Sequence, residues 1–190
     1  MSARKCVDLV LDDLERARAT VAQFPSAVVG SAVLAAYHED QQTPGIHTTF
    51  NDVDVFTNTE SYFMLMGILL SMGYKTQPNY ERTPARQLAR GFGGWKTNSL
   101  RLLHPNGFEV NIICKFENRV EVDDLYSVLL SFDWGGLLMG YDEFGEFHDL
   151  CQAVFPSVTD GDYGMVPARA ASIGKGFMGE YIAARMFGRV

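Results

Sequence analysis

The sequence has little of what marks a secreted or metal-stapled domain. Its 190 residues include three cysteines, Cys6, Cys114 and Cys151, with no CxxC and no Cys/His spacing that suits zinc. The odd count, with Cys114 inside an apolar run, argues against a disulfide framework and for reduced thiols in a cytoplasmic protein. Net positive charge is also missing. Sixteen Lys and Arg against 23 Asp and Glu leave −7, which excludes a protein that coats nucleic acid with its whole surface, though not a local basic patch. No apolar secretory segment opens the chain; "MSARKCVDLVLDDLERARA" is charged and periodic. The longest apolar run, "YFMLMGILLSMGY" (62–74), is shorter than the roughly 20 residues that span a bilayer and reads as a buried core helix, so no membrane partner is expected. There is no internal repeat and no low-complexity segment. His38, His47, His104 and His148 are scattered, and no Ser-His-Asp arrangement supports a serine nucleophile. His104, beside a turn, reads as exposed.

What is present suits one folded domain. The chain is 47% hydrophobic and 12% aromatic, enough for a real core. Val7, Val10, Leu11, Leu14, Ala17 and Val21 recur at helical spacing over 5–22, and Pro25 closes that helix. "SAVVG" (26–30) reads as a strand running into Gly30-Ser31, and "AVLAAYHE" as a helix. "DQQTPGIHTTFN" (40–51) is a loop and "DVDVFT" (52–57) a second strand. Glu60 to Met72 form a helix capped by Gly73, and "YKTQ" reads as a short strand. Residues 78–97 read as a polar, Gly-rich, basic loop or short helix. "SLRLL" and "FEVNIIC" flank "HPNG" as a hairpin turning at Asn106-Gly107. Residues 121–132 read as a helix, and 137–150 as a hairpin or a strand and turn. A last helix starts near Ser172. The expected fold is α+β, a small mixed β-sheet backed by helices. The expected division is a core over 1–155 and a loop and helix over 156–190 that packs on it.

Three features carry chemistry. In "FNDVDVF" (50–56), Asp52 and Asp54 project from one strand face and Val53 and Val55 from the other. Paired carboxylates near a strand end suit hard cations such as Mg²⁺; a solvated strand edge explains the valines equally well, but not why Phe56 shares the face of the aspartates. Gly30-Ser31 begins a helix, where a glycine allows close approach and free N–H groups accept a phosphate; it is also an ordinary helix cap. Glu109, with Asn111 and Ile113, lies on one face of the strand leaving the Asn-Gly turn. It gains meaning only if that strand lies beside Asp52.

Taken in order, "VVGSAVLAAY", "FNDVDVF" and "GFEVNII" resemble the polymerase-β-like nucleotidyltransferase superfamily over roughly residues 26–115. That resemblance implies a nucleotidyltransferase-like core and a transferase that moves an NMP from an NTP to a hydroxyl acceptor on an RNA end, a protein or a small molecule. It implies that Asp52 and Asp54 bind two Mg²⁺ ions with Glu109 as third carboxylate, and that Gly30 and Ser31 hold the β- and γ-phosphates of a nucleoside triphosphate, ATP or another NTP. "HPNGFEVNIICK" looks like the hairpin that delivers the third acid in tRNA CCA-adding enzymes. Two details depart from the pattern. The Ser31–Asp52 loop is long, and Asn51 stands where an apolar residue is usual. The chain has no room for the helical RNA-binding part of CCA-adding enzymes or poly(A) polymerases, so a minimal stand-alone member is expected, of antibiotic-modifying, toxin-type or virus-encoded kind. The rival expectation is a binding or structural module that keeps the fold without catalysis. Asp133, in a Phe-Asp segment, stays open as the alternative third carboxylate, though a turn or helix-end role suits it better. Arg82, Arg86, Arg90 and Lys96 would clamp a triphosphate or an RNA backbone, or else form a solvated face.

Overall fold

A computed structural model of the chain describes residues 1–21, 23–42, 50–77, 96–117, 120–130, 132 and 137–150. Helix α1 (Ala3–Thr20) begins at Ser2, whose hydroxyl accepts from the Lys5 N–H at 3.2 Å, as a helix cap should. It buries Cys6, Val7, Val10, Leu14 and Ala17, the stripe that its periodicity predicts. Strand β1 (Ala27–Val29) passes through Gly30 directly into α2 (Ser31–Gln41). Strand β2 (Asp52–Phe56) leads to α3 (Thr59–Ser71). Asn58 caps α3 by accepting from the Ser61 N–H at 2.8 Å. Gly73, at φ +95°, ends the helix while the Tyr74 and Gly73 amides donate to Leu69 and Leu70 carbonyls at 3.1 Å each. These bonds satisfy carbonyls that a helix end otherwise strands and release the chain into β3 (Lys75–Thr76).

Strands β4 (Lys96–Leu103) and β5 (Glu109–Glu117) form the expected hairpin. Its loop is Pro105–Gly107, closed by the Gly107 N–H donating to the His104 carbonyl at 2.8 Å, with Gly107 at φ +87°. Then come β6 (Val120–Val122), α4 (Leu125–Leu130), β7 (Met139–Tyr141) and β8 (Phe147–Asp149). The sheet order is β3-β4-β5-β2-β1-β7-β8, and β6 takes over from β2 along the far end of β5. Among the described residues β2 and β5 are the one parallel pair, so the sheet is mixed, as expected.

The two faces of the sheet differ. Val28, Val53, Val55, Leu102, Val110, Ile112 and Met139 form the main core with α1, α2 and α3. On the other face, among the described residues, α4 covers one end, where Ala27, Val29, Phe56 and Ile113 pack with Leu125, Val128 and Leu129. That settles Phe56. It shares the aspartate face but lies under α4, 4% exposed and edge-on to Phe132.

Four expectations need correction. Helix α3 is not wholly buried: only Ser61, Leu65 and Leu69 are, and Phe63 is 66% exposed. The stretch 121–132 splits between β6 and the short α4. Lys96 belongs to the backbone of β4, paired with Phe116, rather than to a loop. His104 is buried, not exposed. Its Nδ1 accepts from the Asn106 N–H at 3.0 Å, so Nε2 carries the proton and donates to Asp13 Oδ2 at 3.2 Å. The Tyr74 hydroxyl donates to the same oxygen at 2.8 Å. Burial lowers the His104 pKa despite the pull of Asp13. This cluster fastens the hairpin loop to α1. Cys6 and Cys114 are free and buried, and burial pushes the Cys114 thiol up to about 12. No helix among the described residues is long and apolar enough to cross a membrane. The expected boundary at 155/156 and the last helix lie outside the described residues.

Candidate active site

The parallel register of β2 and β5 builds the site. Asp52 is level with Glu109 and Asp54 with Asn111. Residues level on neighbouring strands face the same side, so the condition placed on Glu109 by the sequence is met: its strand lies beside that of Asp52. The hairpin register then sets Arg101 of β4 level with Asn111. Five polar side chains thus share the sheet face on which α4 packs.

Their contacts are specific. The Asn111 Nδ2 donates to Asp54 Oδ1 at 3.0 Å. Arg101 reaches two carboxylates with different nitrogens, Nη1 to Glu109 Oε2 at 3.3 Å and Nη2 to Asp52 Oδ2 at 3.6 Å. Gln77, just after β3, donates to Glu109 Oε1 at 3.4 Å. Side-chain exposure is 15% for Asp52 and 33% for Glu109, so the group is sheltered but open to solvent. Lys115, further along β5 on the same face, is buried, with Nζ 5.8 Å from the centre of the Phe56 ring and 5.1 Å from that of Phe132.

Gly30 is fitted to Asp54. Its φ of +92° lies where L side chains are strained, and a Cβ there would sit 2.6 Å from Asp54 Oδ2. The Asp54 carboxyl therefore lies against the start of α2, where Gly30 caps the helix without a side chain and the N–H groups of the first turn favour negative charge. Burial, then repulsion by Asp52, pushes the Asp54 carboxyl up to about 7, against the Asn111 hydrogen bond and the charges of Arg101 and Lys115. A shift of this kind marks a buried carboxyl with a like charge beside it.

These residues fit a hard divalent cation. Asp52 and Asp54 supply oxygen donors, and a cation would relieve their mutual repulsion. Asn111 Oδ1 is buried with no donor, an acceptor that a cation or its water would satisfy. Glu109 is turned toward Arg101 and Gln77. A tighter group of ligand atoms exists elsewhere, at Asp142, Glu146 and His148 in the β7–β8 hairpin, all within 4.8 Å of one another. There Asp142 Oδ1 already accepts the Phe144 and Glu146 N–H groups at 2.9 Å each, and Oδ2 lies 2.9 Å from His148 Nε2. Hydrogen bonding within the turn accounts for it.

Of the residues singled out in the sequence, Asp52, Asp54, Glu109 and Gly30 come together, and Ser31 follows Gly30 as the first residue of α2. Asp133, Arg82, Arg86 and Arg90 lie outside the described residues, as does the side chain of Lys96. The structure adds Arg101, Asn111, Gln77 and Lys115. Asn111 was placed on the right face by alternation but given no role. Arg101 had a usable signal: it is the one charge in "SLRLL", and counting back across the hairpin brings it level with Asn111.

No protein-family model matches the chain, and no curated protein matches its sequence. Solved structures do. A CCA-adding enzyme in an apo form aligns at TM-score 0.52 and 13% identity, over 83% of this chain and 32% of its own. A CCA-adding enzyme in complex with CTP aligns at 0.52 and 12%, over 83% and 33%. A tRNA-processing enzyme in an apo form aligns at 0.51 and 14%, over 96% and 42%. The chain thus spans about a third of the length of the first two and somewhat more of the third. At such identities the likeness concerns the fold alone, a nucleotidyltransferase-type fold like that of the CCA-adding enzymes.

Proposed function

We propose that the protein is an Mg²⁺-dependent nucleotidyltransferase that moves an NMP from an NTP to a hydroxyl acceptor. The observation that carries this reading is the seating of Asp54, beside Asp52, against Gly30 at the start of α2. A carboxylate pair and a helix start that meet at one point suit a metal-bound triphosphate. The fold likeness supports it, as does the CTP complex of one neighbour.

Asp52 and Asp54 would hold the cations, with Glu109 or Asn111 on β5 completing the oxygen set. When bound, the cations lower the pKa of the acceptor hydroxyl and neutralise charge on the triphosphate. The N–H groups after Gly30 would orient the phosphates. Asn111 holds the Asp54 carboxyl in place, and Lys115 favours its ionised form. The acceptor is a hydroxyl of an RNA end, a protein side chain or a small molecule, and the same site chemistry serves each.

The test is transfer from α-³²P-labelled NTPs in Mg²⁺, offered RNA, protein extracts and small hydroxyl compounds, with NTP binding measured by calorimetry. Label transfer that needs Mg²⁺ and is lost in Asp52→Asn supports the reading. Neither transfer nor NTP binding would leave the fold as a binding module.

A further inference from the structure

We propose that Arg101 is a built-in counter-ion, pairing with the carboxylates in the nucleotide-free protein and passing to the triphosphate when the Mg²⁺–NTP complex enters. The inference rests on the nucleotidyl-transfer reading and assigns that site a further phosphate-binding residue.

Its position carries the argument. With one side chain Arg101 spans Asp52 on β2 and Glu109 on β5, strands that pair side by side. A cation shared by those carboxylates would need the same space. The 3.3 Å contact to Glu109 is long for a charge-assisted bond, and the 3.6 Å contact to Asp52 exceeds hydrogen-bond range. Neither contact has the short, paired geometry that a guanidinium makes at its best.

Loading reverses the electrostatics. A guanidinium beside divalent cations is repelled, whereas a triphosphate brings oxygens that match its planar fork better than single carboxylate contacts do. Distance allows the exchange. β4 and β1 are three strand spacings apart, each about 4.8 Å, a gap that an extended arginine and a triphosphate chain close from opposite sides. The remaining contact of Glu109 with Gln77 keeps that carboxylate placed when Arg101 leaves.

The experiment compares the full-length protein with Arg101→Gln and Arg101→Lys by calorimetry, once with Mn²⁺ alone and once with a non-hydrolysable NTP analogue in saturating Mg²⁺. Arg101→Gln should bind Mn²⁺ alone roughly tenfold more tightly and the analogue roughly tenfold more weakly. Arg101→Lys, which keeps charge but not the fork, should fall between on both. A residue that merely supports the fold would weaken both together, so unchanged or weaker Mn²⁺ binding in a glutamine variant that unfolds at the wild-type temperature overturns the counter-ion role. Should that variant fail to fold, the lysine variant decides: it must lose affinity for the analogue without losing affinity for Mn²⁺. Unchanged analogue binding overturns the passage to phosphate. If the wild type binds neither ligand, the nucleotidyl-transfer reading itself fails; if it binds both and the variants match it, only the role of Arg101 does.

Discussion

Strands β2 and β5 carry two opposite environments on one backbone. Val53, Val55, Val110 and Ile112 are fully buried on one side. Asp52, Asp54, Glu109 and Asn111 alternate with them on the other. The same ladder of hydrogen bonds holds both sets, and only the period-two alternation separates them. The apolar face supplies the stabilisation. The polar face costs some of it, because it crowds like charges beside a helix start. Such a site survives when its destabilising groups sit on strands that are anchored from behind.

The comparison is best broken first on the polar side. Asp54→Asn should lower nucleotidyl transfer on the order of 10³-fold, since a charged oxygen ligand is worth several kcal/mol to phosphoryl chemistry. The fold should hold, because the change removes a like charge, and circular dichroism after purification checks this. Transfer at the wild-type rate would remove Asp54 from the chemistry.

Next in size is the apolar side. Ile112→Ala should cost about 2–4 kcal/mol in urea unfolding, from lost burial and a residual cavity. Mn²⁺ affinity per folded molecule should not change. A parallel loss of metal binding would mean that the faces are not independent.

Gly30→Ala tests the seam between them. Its Cβ would meet Asp54 Oδ2 at 2.6 Å, in a backbone conformation strained for alanine. Stability should fall by about 1–3 kcal/mol, and Mn²⁺ binding should weaken as Asp54 is displaced. Normal metal affinity in the folded variant would show that Asp54 does not need its seat against α2.

A pH trend tests the polar face without a substitution at the seam. The Asp54 carboxyl is raised from an ordinary 3.8 to about 7. Below the ordinary value both folded and unfolded chains are protonated there, and the contribution to stability is whole. As pH climbs through the folded value the unfolded chain has already ionised while the fold resists, so stability is lost. Metal-free wild type should therefore decline relative to Asp54→Asn between pH values of about 4 and 7, and saturating Mg²⁺ should flatten the decline. Parallel unfolding curves for the two proteins would contradict this origin of the shift.

Much of this was legible in the residues. The alternation in "DVDVF" assigned its faces correctly, and the Asn-Gly signal gave the hairpin. The condition that Glu109 matters only beside Asp52 turned out to be a matter of sheet order. That order was not legible, because no local pattern tells β5 to lie parallel to β2. The same limit hid His104. A histidine near a turn is exposed by local logic, and its burial depends on Asp13, 91 residues away. Helix α3 misled in the other direction. Its apolar residues run all round the helix, and composition alone could not say that Phe63 would face outward.

The parallel pairing of β2 with β5 has a kinetic consequence. Asp54 and the Asn111 that steadies it are 57 residues apart in sequence. Joining them means closing a long loop, whose entropy must be met before any contact repays it. Hairpins such as β4–β5 close quickly and locally, but they bring no second carboxylate to the first. The acidic cluster is thus assembled only when the long-range pairing is complete. On the proposed reading, a nascent chain emerging from the ribosome would gather no cations there, and metal capture would report that the sheet has closed.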